Sequence, residues 1–232
     1  GLGRRSGFRD VDLVVRKGEI VGVTGLIGSG IKEFTRVLFG LDAADDGVME
    51  IDGAAYAPRT PRDALAAGLA LVPEDRRTQG VGLPLSLREN IVLASLERFS
   101  RFGFMRRDAE TKRARGFIAS LSIKAPDETV PAGSLSGGNQ QKVAIAKWLC
   151  REAFLYVLDE PTVGIDVAAK AEIYRLLRGL ADAGHSLIVV SSDLDEVRGL
   201  ADRVVVLHRG AVALDARSET VSPSALLAAV VG

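Results

Sequence analysis

Two adjacent carboxylates, Asp159 and Glu160, close the apolar run Phe154-Leu-Tyr-Val-Leu158. An apolar strand that ends in paired carboxylates can hold Mg²⁺ and activate a water. One helix length upstream stands Leu135-Ser-Gly-Gly-Asn-Gln-Gln-Lys142. A Ser-Gly-Gly turn that opens a helix offers free backbone N–H groups, and the helix dipole adds to their attraction for phosphate oxygens. A second glycine-rich stretch, Gly25-Leu-Ile-Gly-Ser-Gly30, lies between an apolar run and a helical pattern and permits another N–H nest. The chemistry on offer is phosphate binding, with a metal-assisted attack by water.

An alternating framework must position these groups. Val11–Val15 and Glu19–Val23 read as strands around a glycine turn, followed by a helix through Phe34, Val37 and Leu38 that stops at Gly40. Val48–Ile51 reads as a strand with a turn at Asp52-Gly53, Ala64–Ala67 as a short helix, and Leu69–Val72 as a buried strand. From Leu85 to about Ile123 the pattern is helical and charged. Then follow a helix from Asn139, a strand at 154–158, a helix at 167–181 and a strand at Leu187–Val190. A helix at 193–201, a strand from Arg203 to Leu207, a hairpin at Arg209-Gly210 and a helix at 223–230 close the chain. Apolar strands alternating with helices predict an α/β fold with a mainly parallel core sheet.

Composition sets limits. With 232 residues the chain can bury a sizeable core, and 30 basic against 30 acidic residues argue against a nucleic-acid partner held by bulk charge. No run approaches the roughly 18 apolar residues that a membrane span needs. The single cysteine, Cys150, excludes an internal disulfide and reads as a small buried hydrophobe. The chain opens without methionine, which points to a segment of a longer polypeptide.

The phosphate loop departs from its full pattern. A complete loop follows its last glycine with Lys and then Ser or Thr; here Ile31 and Lys32 stand in those places. A shift of one helical residue turns a side chain by about 100°, so Lys32 cannot simply replace the missing ammonium. No hydroxyl stands at the metal-binding place.

The segment Ser-Gly-Gly-Asn-Gln-Gln followed by the carboxylate strand resembles the signature and Walker B motifs of ATP-binding-cassette (ABC) ATPases. Gly-Leu-Ile-Gly-Ser-Gly without its Lys, Pro73-Glu-Asp-Arg-Arg77, the signature and Ser191-Ser-Asp193 together resemble the second, C-terminal cassette of bacterial ribose-, galactose- and xylose-type sugar importers. The resemblance covers nearly the whole chain, from about Phe8 to Gly232. It implies one P-loop nucleotide-binding domain over residues 1–232. An ATPase core with a small antiparallel β subdomain would take 1–74 and 141–232, and a helical subdomain about 75–140. ATP and Mg²⁺ are the implied ligands. Gly25, Gly28, Ser29, Gly30, Ile31 and Lys32 would line the nucleotide loop, Asp159 would hold the metal, and Glu160 would be the general base. Glu74 takes the Q-loop position and Ser192 the place of a switch histidine, while His185 and His208 read as solvated turn residues. Ser136, Gly137, Gly138 and Gln140 would face a partner's ATP in a head-to-tail dimer, with Asp166 in the D-loop. No aromatic stands where the family stacks adenine, since Phe8 reads as core. The implied partners are the N-terminal cassette of the same polypeptide, membrane permease subunits reached near Arg76–Asn90, and indirectly a periplasmic sugar-binding protein; the domain itself would sit peripherally at the cytoplasmic face of the membrane. The alternatives are a non-catalytic nucleotide-binding module and a soluble, non-transport ABC ATPase.

Overall fold

The computed structural model describes residues 1–5 and 7–232. The first stretch contains β1 (Leu2–Arg4), β2 (Phe8–Val11), β3 (Ile20–Thr24), α1 (Ile31–Leu38), β4 (Met49–Ile51), β5 (Ala54–Tyr56), α2 (Pro61–Ala66) and β6 (Leu69–Val72). Next come α3 (Leu87–Val92), α4 (Leu96–Phe99), β7 (Ser100–Arg101), β8 (Phe104–Met105), α5 (Arg107–Ser120) and α6 (Gly137–Arg151). The chain ends with β9 (Leu155–Asp159), α7 (Val167–Asp182), β10 (Ser186–Val190), α8 (Leu194–Leu200), β11 (Arg203–His208), β12 (Ala211–Arg217) and α9 (Pro223–Val231). No helix among the described residues is long and apolar enough to cross a membrane.

Six strands form one sheet in the order β12-β11-β3-β10-β9-β6. The pairs β11–β3, β3–β10 and β10–β9 are parallel, and β12 closes one edge antiparallel to β11. Short antiparallel pairs, β1–β2, β4–β5 and β7–β8, lie outside it. Every residue of β3 and of β10 is buried, as expected for parallel strands covered on both faces.

The chain falls into two compact units: residues 1–71, 154–160 and 178–232 form the first, and residues 72–153 and 161–177 the second. In the first unit, Val21 and Val23 of β3 share a core with Val157, Ile188, Val190, Val205 and Leu207 and with Ile31, Phe34 and Val37 of α1. Phe8 belongs to this core, its ring edge-on to Phe34 at 5.6 Å. The strand expected at 11–15 is instead β2. Asp10 adopts a positive φ of 50°, and beyond Val11 the chain runs irregularly, with Leu13 and Val15 packed on the core.

In the second unit, Cys150 is buried and accepts a hydrogen bond from the Ser95 hydroxyl at 3.3 Å. The β7–β8 hairpin interrupts a stretch expected to be helical throughout. Its turn residues Phe102 and Gly103 both have positive φ, as a type I′ hairpin turn requires. Phenylalanine at such a position gives no turn signal in the sequence.

Asn90, completely buried, organises the segment before α3. Its Oδ1 accepts from the Gly82 N–H at 2.7 Å, and its Nδ2 donates to the carbonyls of Gly82, Leu85 and Ser86 at 3.0–3.1 Å. Its side chain is therefore committed to the interior of the unit. Replacing Asn90 by Ala would leave the Gly82 N–H without its acceptor, while the Gly82, Leu85 and Ser86 carbonyls keep the backbone N–H groups of Leu85, Ala132 and residue 90. Urea denaturation of the variant should show a loss of about 1–3 kcal/mol, the scale of one unsatisfied buried group.

Candidate functional site

The first unit gathers one group of motif residues at the carboxyl edge of its sheet. Val190 of β10 stands beside Val23 of β3 on one side and beside Asp159 of β9 on the other. The glycine loop leaving β3, the carboxylates ending β9 and the Ser191–Asp193 segment leaving β10 therefore emerge together, the usual place for a ligand in such sheets.

Within the loop, Gly30 takes φ 97° as the residue before α1, and a Cβ there would lie 2.4 Å from the Gly7 carbonyl oxygen. Only glycine fits. Helices α2, α3, α8 and α9 are capped by the side chains of Thr60, Ser86, Asp193 and Ser222. Among the described residues no side chain caps the backbone of α1. Thr24, buried at the end of β3, has a hydroxyl without a hydrogen-bond partner just before the loop. Gly25 and Gly28 flank a tight turn closed by the Ser29 N–H, which donates to the Leu26 carbonyl at 2.9 Å.

The side chains fit a phosphate poorly. Ile31 is 8% exposed and packed into the core with Phe34 and Val37, because positions 31, 34 and 37 form the apolar face of α1. A side chain committed there cannot contact a phosphate. Lys32 is exposed and brings no hydroxyl for a metal.

Glu160 has a left-handed backbone, φ 47°, which a non-glycine residue adopts at some cost. Its N–H donates to the Val190 carbonyl at 2.8 Å, and its Oε1 accepts the Ser192 N–H at 2.7 Å. The candidate base is thus oriented by the backbone of the very residue standing where a switch histidine would be. Ser191, not Ser192, is the buried serine of the pair; its hydroxyl donates to Glu196 and accepts the Asp193 N–H at 3.1 Å. The histidines are half-buried and packed rather than free in turns. His185 lies edge-on to Tyr156 at 5.4 Å, and Nδ1 of His208 lies 3.1 Å from the Val230 carbonyl.

The second unit carries the other group. Ser136 precedes α6 with its side chain exposed, and its hydroxyl accepts from Asn139 Nδ2 at 2.9 Å instead of capping the helix backbone. The first turn of α6 is therefore open to an acceptor. Gly138 packs against α7, where a Cβ would lie 2.6 Å from that of Ala169. Gln140 is buried, its amide donating to the carbonyls of Ala132 and Leu135 at 3.3 and 3.1 Å, so its side chain shapes the turn from within. Asp166 caps α7 through the Ala169 N–H at 2.9 Å. Ser136, Gly138, Asn139 and Asp166 line a cavity of about 110 Å³ together with Lys142 and Glu172. Those two pair at 2.6 Å, and the ammonium holds the Glu172 carboxyl below its usual range. Glu74 lies half-buried before Asp75, whose carboxylate binds the N–H groups of Arg77 and Thr78 and the Thr78 hydroxyl. That hydroxyl is the main cause of the lowered Asp75 pKa.

A mainly parallel sheet whose carboxyl edge presents a glycine loop and paired carboxylates defines an α/β P-loop nucleotide-binding cassette. The family model described as ABC transporter matches residues 8–163, and the chain belongs to that family. It is 50% identical over 232 residues to the Ribose import ATP-binding protein RbsA of Pseudomonas putida, covering all of this chain and 45% of that protein. The chain thus spans about half the length of the curated relatives it matches. Among solved structures, the ADP conformation of MJ1267, an ATP-binding cassette of an ABC transporter, superposes with a TM-score of 0.83 at 20% identity, covering 97% of this chain and 92% of that one. The dimeric structure of MJ0796, a bacterial ABC transporter cassette, gives 0.75 at 25% identity, with 91% and 90% covered.

Ile31→Lys combined with Lys32→Ser places an ammonium and a hydroxyl where a complete phosphate loop carries them. Calorimetric titration with Mg-ATP should show tighter binding by about 1–3 kcal/mol, the scale of charged hydrogen bonds. A lower melting temperature should accompany it, since Ile31 leaves the core. Unchanged affinity would mean that the loop is no phosphate nest.

Proposed function

We propose that this domain is the C-terminal cassette of a two-cassette carbohydrate-import ATPase, with a weak nucleotide site of its own and an intact signature that completes its partner's site. The observation that carries this reading is the contrast between two glycine turns. At α6 the Ser-Gly-Gly turn keeps its backbone donors open, whereas at α1 the residue in the lysine position is buried in the core. The name of the relative at 50% identity, a ribose import ATP-binding protein, supports the transport class.

In this reading Gly25, Gly28, Ser29 and Gly30 line the ATP phosphates, Ile31 and Lys32 contribute little, and Asp159 would hold Mg²⁺. The metal, when bound, neutralises charge between phosphate oxygens. Glu160 accepts the proton of an attacking water, held in orientation by Ser192. Loss of the loop ammonium and of an imidazolium at 192 removes two positive groups from the transferring phosphoryl, each worth about 10²–10³ in rate. Ser136, Gly137 and Gly138, with Asp166 alongside, face the nucleotide of the N-terminal cassette in a head-to-tail dimer. The assembly sits at the cytoplasmic face of the membrane on permease subunits, served by a periplasmic sugar-binding protein. Glu74 stands at the permease-facing segment.

In the full-length transporter, Ser136→Arg should abolish ATPase activity, because a bulky cation there displaces the partner's γ-phosphate. Glu160→Gln should reduce transport-coupled ATPase less than the equivalent change in the partner cassette. Equal losses from the two glutamate changes would mean that both sites turn over.

A further inference from the structure

Arg76 lies in a charged run, Glu74-Asp-Arg-Arg77, that reads as a solvated loop, yet its side chain is folded inward within the second unit. Nη1 donates to the Val163 carbonyl at 2.8 Å, and Nη2 to the Gly164 carbonyl at 3.2 Å. Nη2 also fills the space beside Gly137, where an added Cβ would lie 2.7 Å from it. One guanidinium therefore touches the turn that precedes Asp166 and the first residue of the signature helix. Burial lowers its pKa, but a guanidinium remains charged.

The backbone around Arg76 is held just as firmly. Asp75 accepts the N–H groups of Arg77 and Thr78, and the segment Arg76–Gly80 forms one wide helical turn. At its far end the buried Lys147 of α6 donates to the Gly80 carbonyl at 2.6 Å. Desolvation pushes this ammonium down to about 8. The segment that follows Glu74 is thus fastened to α6 at one end and, through Arg76, to the 163–164 turn at the other. Two directed bonds from a planar fork fix orientation as well as distance, which a single flexible ammonium cannot do.

We propose that Arg76 is a positioning residue that sets the 163–164 turn and the Gly137 end of α6 relative to the Glu74 segment, so that displacement of that segment moves the surface presented to the partner's nucleotide. The inference rests on the reading of Ser136–Gly138 as that surface. The hydrogen bonds of its guanidinium run to Val163 and Gly164, so the role assigned to it is positioning rather than ATP affinity.

The test uses the full-length two-cassette protein assembled with its permease. Arg76→Met keeps the apolar stem and removes the donors, and Arg76→Lys keeps the charge and one bond. The Met variant should lower the kcat of ATP hydrolysis about 10–100-fold, the scale of an ångström-level misplacement. Its KM for Mg-ATP should stay within about twofold, because nucleotide affinity is not what the bond supplies. Arg76→Lys should fall between wild type and Met, and hydrogen exchange at 163–166 should rise in the same order. Unchanged kcat in the Met variant, with faster exchange, would overturn the proposal by making the bonds merely structural. A raised KM with unchanged kcat would overturn it by making Arg76 a nucleotide contact. Ser136→Arg separates the two levels. If it is inactive while Arg76→Met is active, only this inference fails; if it too is active, the reading of the signature surface fails.

Discussion

The parallel pairing of β10 with β3 on one side and β9 on the other is the constraint on which the nucleotide edge depends. Because Val190 is level with both Val23 and Asp159, three connections begin at the same height. A slip of one residue in either pair would send every side chain to the opposite covered face, so the register is fixed by how the two buried faces pack. The glycine loop, the paired carboxylates and Ser192 are neighbours for that reason. The bond from the Ser192 N–H to Glu160, and the strained backbone of Glu160 itself, follow from the same alignment.

A sheet edge of this kind supplies backbone donors at no cost to side-chain choice, which explains how the fold tolerates Ile31. Once the lysine position carries an aliphatic residue, the apolar face of α1 extends by one turn and absorbs it. The turn itself is set by Gly30, whose φ of 97° and approach to the Gly7 carbonyl leave no room for a side chain. The second unit obeys a different constraint. There Asn90, Gln140 and the Lys142–Glu172 pair spend buried polar groups on carbonyls and charges of the same unit, and the first turn of α6 is left open.

Much of this was legible in the sequence. The apolar runs of β3, β6, β9, β10 and β11 give the sheet, the Ser-Gly-Gly and Gly-Ser-Gly turns give the helix starts, and Phe8 and Cys150 read correctly as core. Other features were not legible, for reasons that are local. Asp10 takes a left-handed conformation that displaces the early strand, and Phe102 does the same at a hairpin tip without the usual Asn or Asp. The inward fold of Arg76 depends on carbonyls 87 and 88 residues away, and no pattern in a charged run announces it. Gln140 looks like a ligand-facing residue by position, whereas the helix period turns it inward.

The central claim is that the domain keeps the glycine loop of a phosphate site without the charge that would make it turn over. Steady-state phosphate release by the purified 232-residue chain with Mg-ATP tests it most directly. Two missing positive groups place the rate several orders of magnitude below the ~1 s⁻¹ at the low end of competent phosphoryl-transfer enzymes, and indifferent to Glu160→Gln. A rate near ~1 s⁻¹ that disappears on Glu160→Gln would contradict it.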